Sequence, residues 1–253
     1  MTKPITEFSV SHYRDGKIIR RGDHVIHEVS LDISYNGNLL AEIACTGIHL
    51  KELSLGFLLT EGLISDINDV KKIHISESPP AASVSTNKKD LHPAPTKSIM
   101  SSGARRHERI DMATPLTGSQ RIASTDVISL MTDLLASSAL HEVTGGTHCS
   151  GLAREGKLVA LREDIGRHNT IDMCIGYSLI EGIESSNTAI LTTGRISSEI
   201  VGKVWRFGAP FIISHSAPTS KAIDLAGNAG ITLIGYVRGT RMRVYTHERR
   251  VIF

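Results

Sequence analysis

The chain has 253 residues, of which 40% are hydrophobic and 21% charged, an ordinary globular composition that excludes wholesale disorder, collagen-like repeats and coiled coil. Its 28 basic and 26 acidic residues leave a formal charge of +2, so no global field nominates nucleic acid as a partner. Three cysteines without a CxxC argue against a disulfide framework and against a cysteine-rich zinc site.

The start, MTKPITEFSV, lacks a basic region followed by an apolar one, and no apolar run approaches the ~20 residues of a membrane span. The expectation is a cytoplasmic protein with no membrane or nucleic-acid partner. In chain order, Val29 to Cys45 alternates about Asn36-Gly37, the strongest short-range hairpin signal. Leu50, Leu53, Phe57 and Leu58 follow at helical spacing, with Gly62 placed to close the helix. Cys45 is expected to point into the core. Residues 1–75 thus read as a β-rich portion with one helix.

From Ser76 to about Ser124 the periodicity disappears in a stretch rich in Pro, Ser, Ala and Lys, which predicts a long mobile loop over residues 76–124. A helix then carries Val127, Leu130, Met131, Leu134 and Leu135 on one stripe, with Ser124, Thr125 or Asp126 as its cap. Beyond Glu142 the pattern is alternating: a strand at Leu158 to Leu161, a helix bearing Ile171, Cys174, Ile175 and Leu179, and a strand at Ala189 to Thr193. A helix closed by Gly208, a strand at Phe211 to Ser214, a helix with Ala222, Leu225 and Ala226, and a strand at Ile231 to Val237 complete it. Residues 125–253 therefore read as an α/β portion with a parallel or mixed sheet covered by helices, and ligand sites belong at the carboxyl ends of its strands.

Three strand ends carry polar tips: Thr192-Thr193-Gly194-Arg195, Ser214-His215-Ser216 and Arg238-Gly239-Thr240-Arg241. The first two precede helices whose free N–H groups favour phosphate or pyrophosphate, and Arg195, Arg238 and Arg241 can supply bidentate partners. The plainer reading is that Ser and Thr cap helices while the arginines face water. Neither GxGxxG nor a P-loop is present. The densest polar run, Arg162-Glu163-Asp164-Ile165-Gly166-Arg167-His168-Asn169, lies between a strand and a helix; it reads as a site, or else as Asn169 or Thr170 capping the helix with Glu163 paired to Arg167. His148-Cys149, after Gly145-Gly146-Thr147 and just before a strand, is either buried filling or a reactive thiol activated by a neighbour such as His148. Cys174 falls on an apolar stripe as inert core.

With these residues laid out, the chain resembles the formate dehydrogenase accessory sulfurtransferase family, the FdhD proteins. The resemblance rests on EVSLDISYNG, LGFLLTEGLI, GGTHCSGL, LREDIGRHNTIDMCIG, LTTGRISSEIVGKV, ISHSAPTSKAIDLAGNAGITLIGYVRG and VYTH. It implies a cytidine-deaminase-like α/β fold and a homodimer. It also implies an accessory protein that takes sulfur from a cysteine desulfurase and passes it to the molybdenum bis-guanine-dinucleotide cofactor before insertion into formate dehydrogenase, with GDP as a mimic of the cofactor. The family's cofactor-binding run falls on Tyr236, Val237, Arg238, Gly239, Thr240 and Arg241. By the strand-end argument His148, Glu163, Asp164, Arg167, His168, Asn169, Thr193, Gly194, Arg195, Ser214 and Ser216 line the same pocket. The chain departs from the family at the sulfur-carrying CxxC: Gly103 and Arg106 stand where its two cysteines belong, in Met100-Ser101-Ser102-Gly103-Ala104-Arg105-Arg106. Cys149 is then the candidate for a relocated sulfur carrier, and the alternative is a cofactor-binding chaperone without sulfur transfer. A nucleotide hydrolase or deaminase is suggested by fold alone, and the HxE and PCxxC of a zinc deaminase are absent.

Overall fold

The computed structural model describes residues 4–87 and 114–253. The described residues open with a hairpin, β1 (Ile5–Arg14) and β2 (Lys17–Ile26), whose turn is Asp15-Gly16 and which the expected elements did not include. β3 (Val29–Tyr35) and β4 (Asn38–Cys45) turn at Asn36-Gly37 as the alternation requires, and α1 (Leu50–Thr60) follows. β5 (Val70–Glu77) and β6 (Pro80–Thr86) complete a four-stranded sheet in the order β4-β3-β6-β5.

The expectation of an unstructured run from Ser76 is therefore corrected at its start. β6 lies parallel to β3, with Ala82 and Val84 buried on either side of the exposed Ser83. Its proline is the first residue of the strand, where a missing N–H is tolerated, so the Pro-rich spelling concealed a real alternation. The rest of that run up to residue 113 lies outside the described residues.

The second part comprises β7 (Ile122–Ala123), α2 (Ser124–Ala136), α3 (Ala139–Thr144), β8 (His148–Arg154), β9 (Lys157–Asp164), α4 (Arg167–Glu181), β10 (Thr188–Thr192) and α5 (Ser198–Phe207). After these come β11 (Phe211–Ser214), α6 (Ser220–Ala229), β12 (Thr232–Arg238), β13 (Arg241–Val244) and β14 (Val251–Ile252). Its six-stranded sheet runs β13-β12-β11-β10-β8-β9. β10, β11 and β12 are parallel, as the βαβ spelling demands, and β8, β9 and β13 join antiparallel. The sheet is mixed because β8 and β9 form a hairpin about Glu155-Gly156; His148-Cys149 begins β8 instead of preceding a strand. α2 starts at Ser124 without a side-chain cap, since Ala123 occupies the N-cap.

Alternation along the strands makes two cores. Ala189, Leu191, Phe211, Ile213 and Ile234 pack toward α2, while Ile190, Ile212 and Leu233 face the opposite way, into the core shared with α1, α4, α5 and α6. α1 lies against α4 and also touches β5 and β6, so it joins the two sheets. The helices approach through glycines: a Cβ on Gly56 would fall on the backbone carbonyl of Asp172, and one on Gly176 on that of Glu52. No helix of the described residues is long and apolar enough to cross a membrane.

Three helices meet at a buried ion pair. Lys203 Nζ of α5 donates to both carboxylate oxygens of Asp172 on α4, at 2.5 and 2.6 Å, and to Thr60 Oγ1 of α1 at 2.7 Å. Thr60 Oγ1 in turn donates to Asp172 at 2.9 Å. Such a pair adds little beyond its desolvation cost, but losing one partner leaves a buried charge. Lys203→Ala should lower stability by about 3–5 kcal/mol, and Lys203→Met with Asp172→Leu should recover most of it. Urea unfolding of the three proteins measures both.

Candidate functional site

The polar run after β9 is built into the scaffold. Arg162 makes a two-pronged pair with Glu52 of α1, donating from Nε and from Nη2 at 2.5 and 2.8 Å. Burial alone would raise the Glu52 carboxyl; hydrogen bonds from Arg162 and His49 more than offset it and hold the group below its ordinary value. Glu163 accepts from the N–H groups of Leu140 and His141, at 2.9 and 2.7 Å, so it caps α3. Asp164 is fully buried and accepts from Thr46 N, Thr46 Oγ1, Gly166 N and Asn169 Nδ2. Burial still pushes its carboxyl up. Asn169 also donates to Ala44 O at 2.8 Å.

These contacts give several of the expected pocket residues a structural part and correct the capping expectations. Glu163, Asp164 and Asn169 were assigned to the pocket, yet their polar atoms bind this chain's own backbone and side chains. Glu163 caps α3 and does not serve Arg167, and the N-cap of α4 is Gly166, not Asn169 or Thr170. His168 is likewise buried and lies 3.2 Å from Glu199 of α5. Arg167 is the member of the run that turns toward the strand ends: a Cβ on Gly194 would lie against its side chain, and its Nε is buried without a hydrogen-bond partner among the described residues.

The strand tips converge as expected. Thr192 pairs with Ser214 across β10 and β11. Thr193 Oγ1 accepts from Cys149 N, which fixes the start of β8 beside the tip of β10. Ser214 is fully buried: its Oγ donates to Gly194 O and accepts from Ser216 N, so it shapes the loop and offers no group outward. Ser216 O accepts from Tyr236 N, which ties the third tip to the second. The plainer reading holds at the helix starts, where Ser197 caps α5 and Thr219 caps α6. Arg195 is exposed beside these loops.

At the end of β12 a bulge between Gly235 and Arg238 gives Tyr236 a left-handed backbone, φ 58°. It turns the ring outward while Val237 stays buried in the α2-side core and so presents no side chain to a ligand. Two guanidiniums, those of Arg238 and Arg243, lie 4.5 Å from the Tyr236 ring centroid, within cation–π range. Arg238 Nε also reaches His215 O at 3.4 Å. Gly239 and Thr240 form the turn into Arg241, and all three are exposed. His215 and Arg243 were absent from the residues expected at the site. The alternation Arg241, Met242, Arg243 was the available signal, because it sets two arginines on one face of a strand.

The two imidazoles here are shifted below their ordinary value. Burial, then the Arg167 guanidinium, lowers the His148 value; burial, then Arg238, lowers that of His215. The surface therefore carries two guanidiniums over one aromatic ring. That arrangement can receive an anionic group on its guanidiniums, whose planes can also stack on a flat one. A cavity of about 500 Å³ lies near the start of β11, lined by Leu116, Trp205, Arg206 and Pro210 among others, and none of the expected site residues lines it.

The thiols do not belong to this surface. Cys149 is 1% exposed, and burial, only partly offset by Ser138, pushes its value up to about 12. Cys45 also reaches about 12 through burial and the nearby Asp164. Cys174 is fully buried and pushed higher still. Gly103 and Arg106 lie outside the described residues.

Residues 26–252 match the model of the FdhD/NarQ family. A protein of Geobacillus kaustophilus named sulfur carrier protein FdhD is 36% identical over 96% of this chain and 95% of its own length. The Bacillus subtilis protein of the same name is 34% identical with the same coverage. Among solved structures, a formate dehydrogenase accessory protein from Desulfotalea psychrophila, itself assigned by inference, matches with a TM-score of 0.83 at 28% identity, over 99% of this chain and all of that one.

A thiol with a value near 12 is roughly one part in 10,000 thiolate at pH 8. Native protein should therefore react with a disulfide reagent at least ~100-fold more slowly than denatured protein, whose cysteines have ordinary values. The rate should climb as pH rises toward the raised values. A fast native phase from Cys149 would reverse its placement in the core.

Proposed function

The chain belongs to the FdhD/NarQ family, and on that premise we propose that it serves formate dehydrogenase by holding a guanine-dinucleotide molybdenum cofactor, its cargo, at the ends of β10, β11 and β12. The observation that carries this reading is Tyr236 with the guanidiniums of Arg238 and Arg243 stacked on it. A pyrophosphate asks for guanidiniums and N–H groups, and a guanine asks for a flat partner. Arg167, with a buried Nε that lacks a partner among the described residues, points to an anion beside Gly194. Arg195 and Arg241 extend the positive rim, and the backbone at Thr193, Gly194 and Ser216 offers close approach without bulky side chains.

The relatives are named sulfur carriers, and in the family such a carrier would accept sulfur from a cysteine desulfurase and pass it to the cofactor. A carrier thiol must ionise and meet both donor and acceptor. In this chain Cys45, Cys149 and Cys174 are buried with raised values, and Gly103 and Arg106 replace the family's loop cysteines. That favours the second reading: a cofactor-holding chaperone that delivers its cargo to apo-formate dehydrogenase without itself carrying sulfur.

Calorimetric titration with GDP, as half of the cofactor, tests the site. Arg238→Ala and Tyr236→Ala should each weaken binding by about 1–3 kcal/mol, roughly 5- to 150-fold, whereas Cys149→Ser should leave it unchanged. Wild-type protein that fails to bind GDP would remove the site assignment. A persulfide on this chain after incubation with a desulfurase and cysteine, detected by mass spectrometry, would restore the sulfur-carrier reading.

A further inference from the structure

Beneath the strand tips runs a line of buried hydroxyls that makes no contact with the surface. Thr192 ends β10, and Ser150 stands opposite it on β8. Thr170 belongs to the first turn of α4, which packs against β8, β9 and β10. Ser150 and Thr170 are fully buried and Thr192 nearly so. Ser150 Oγ lies 2.7 Å from Thr170 Oγ1 and donates to Thr192 Oγ1 at 3.1 Å.

Both ends of the line return to one place. Thr170 Oγ1 donates to the carbonyl of Arg167 at 2.9 Å, while Thr192 Oγ1 accepts from the N–H of Gly194 at 3.1 Å. Gly194 in turn lies under the Arg167 side chain: a Cβ built on it would stand 2.9 Å from Arg167 Cβ and 3.2 Å from Arg167 Cδ. The hydroxyls thus close a circuit from the backbone of Arg167, through α4, β8 and β10, to the residue on which its side chain rests. The Gly194 carbonyl is held as well, by Ser214 Oγ at 2.8 Å.

Filling the core does not require these oxygens. Two residues along each strand, Leu152 and Ile190 share the same face and lie in the core that α1 and α4 enter. Apolar groups of the same shape would occupy the space, and replacing hydrogen-bonded partners together in that way is often close to neutral. What hydroxyls add is direction. Arg167 needs it, because among the described residues no hydrogen bond or ion pair holds its guanidinium and its Nε is buried without a partner. Its place is therefore set from behind, by the residue beneath it.

We infer that Ser150, Thr170 and Thr192 are positioning residues: through Gly194 they hold Arg167 with its Nε free for an anion. The inference rests on the reading of this surface as a cofactor site, and supplies the support such a site needs behind its contact residues.

Thr192→Val, which keeps the shape and removes the oxygen shared by Ser150 and Gly194, is the direct test. By NMR, the Gly194 N–H and the Arg167 Nε–H should each exchange roughly 5- to 10-fold faster than in the native protein, with the rest of the spectrum unchanged. Thr192→Ser, which keeps the oxygen, should stay within about 2-fold of native. In calorimetric titration Thr192→Val should weaken GDP binding roughly 5-fold, and Thr192→Ser should restore it. Placed in an Arg167→Ala background, Thr192→Val should cost less than about 2-fold more, because its effect passes through Arg167; a general loss of structure would weaken binding equally in both backgrounds. Unchanged exchange of the two protons in Thr192→Val would overturn the inference, as would a loss of GDP binding that adds in full to that of Arg167→Ala. Native protein that fails to bind GDP would remove the cofactor reading instead, and the exchange of the two protons would still decide whether the circuit positions Arg167.

Discussion

Everything that positions the strand-end surface depends on α1 and α4 being able to touch backbone to backbone. Gly56 of one helix lies on the carbonyl of Asp172, and Gly176 of the other on the carbonyl of Glu52; neither position has room for even a methyl group. At that separation Glu52 reaches Arg162 and Thr60 reaches Asp172 and Lys203. The N-terminal sheet is thereby bound to the β9–α4 connection, and the connection in turn sets Arg167 beside Gly194. A wider crossing would leave the buried Lys203 and Asp172 without their third partner, so close packing and charge satisfaction enforce the same geometry.

Much of the architecture was legible because it is written locally. Asn36-Gly37 between alternating runs gave β3 and β4, and short apolar strands alternating with helical stripes gave the parallel core of β10, β11 and β12. The convergence of their three polar tips followed from topology. What local spacing could not show is the distant partners. Asp164 and Asn169 looked like ligands because six polar residues within eight seem excessive for a turn, yet they bind Thr46 and Ala44, more than a hundred residues earlier in the chain. Glu163 does the same for α3. Spacing within a segment carries no trace of such contacts. β6 hid behind its prolines, and the Asp15-Gly16 turn was passed over because the strands around it carry mostly polar and charged side chains.

The cysteines bear on the proposed division between membership of a family and possession of its chemistry. The family model and relatives covering nearly the whole chain place it among proteins of which several are named sulfur carriers. The thiols that remain are filling: Cys149 packs under α2, and Cys174 lies in the core that α1 and α4 share. Burial stabilises the neutral S–H over the thiolate, so each is kept as a small apolar group. The arginines and Tyr236, by contrast, remain at the surface where a ligand can reach them.

Tyr236 shows what that surface costs. Its left-handed φ of 58° is a conformation that a side chain with a Cβ adopts at a penalty, of order 1–3 kcal/mol at such positions. Glycine would relieve it and remove the ring on which Arg238 and Arg243 stack. If the proposed site is right, stability and recognition pull this residue in opposite directions, and a search that selected only for thermal resistance would be expected to erase the aromatic face first.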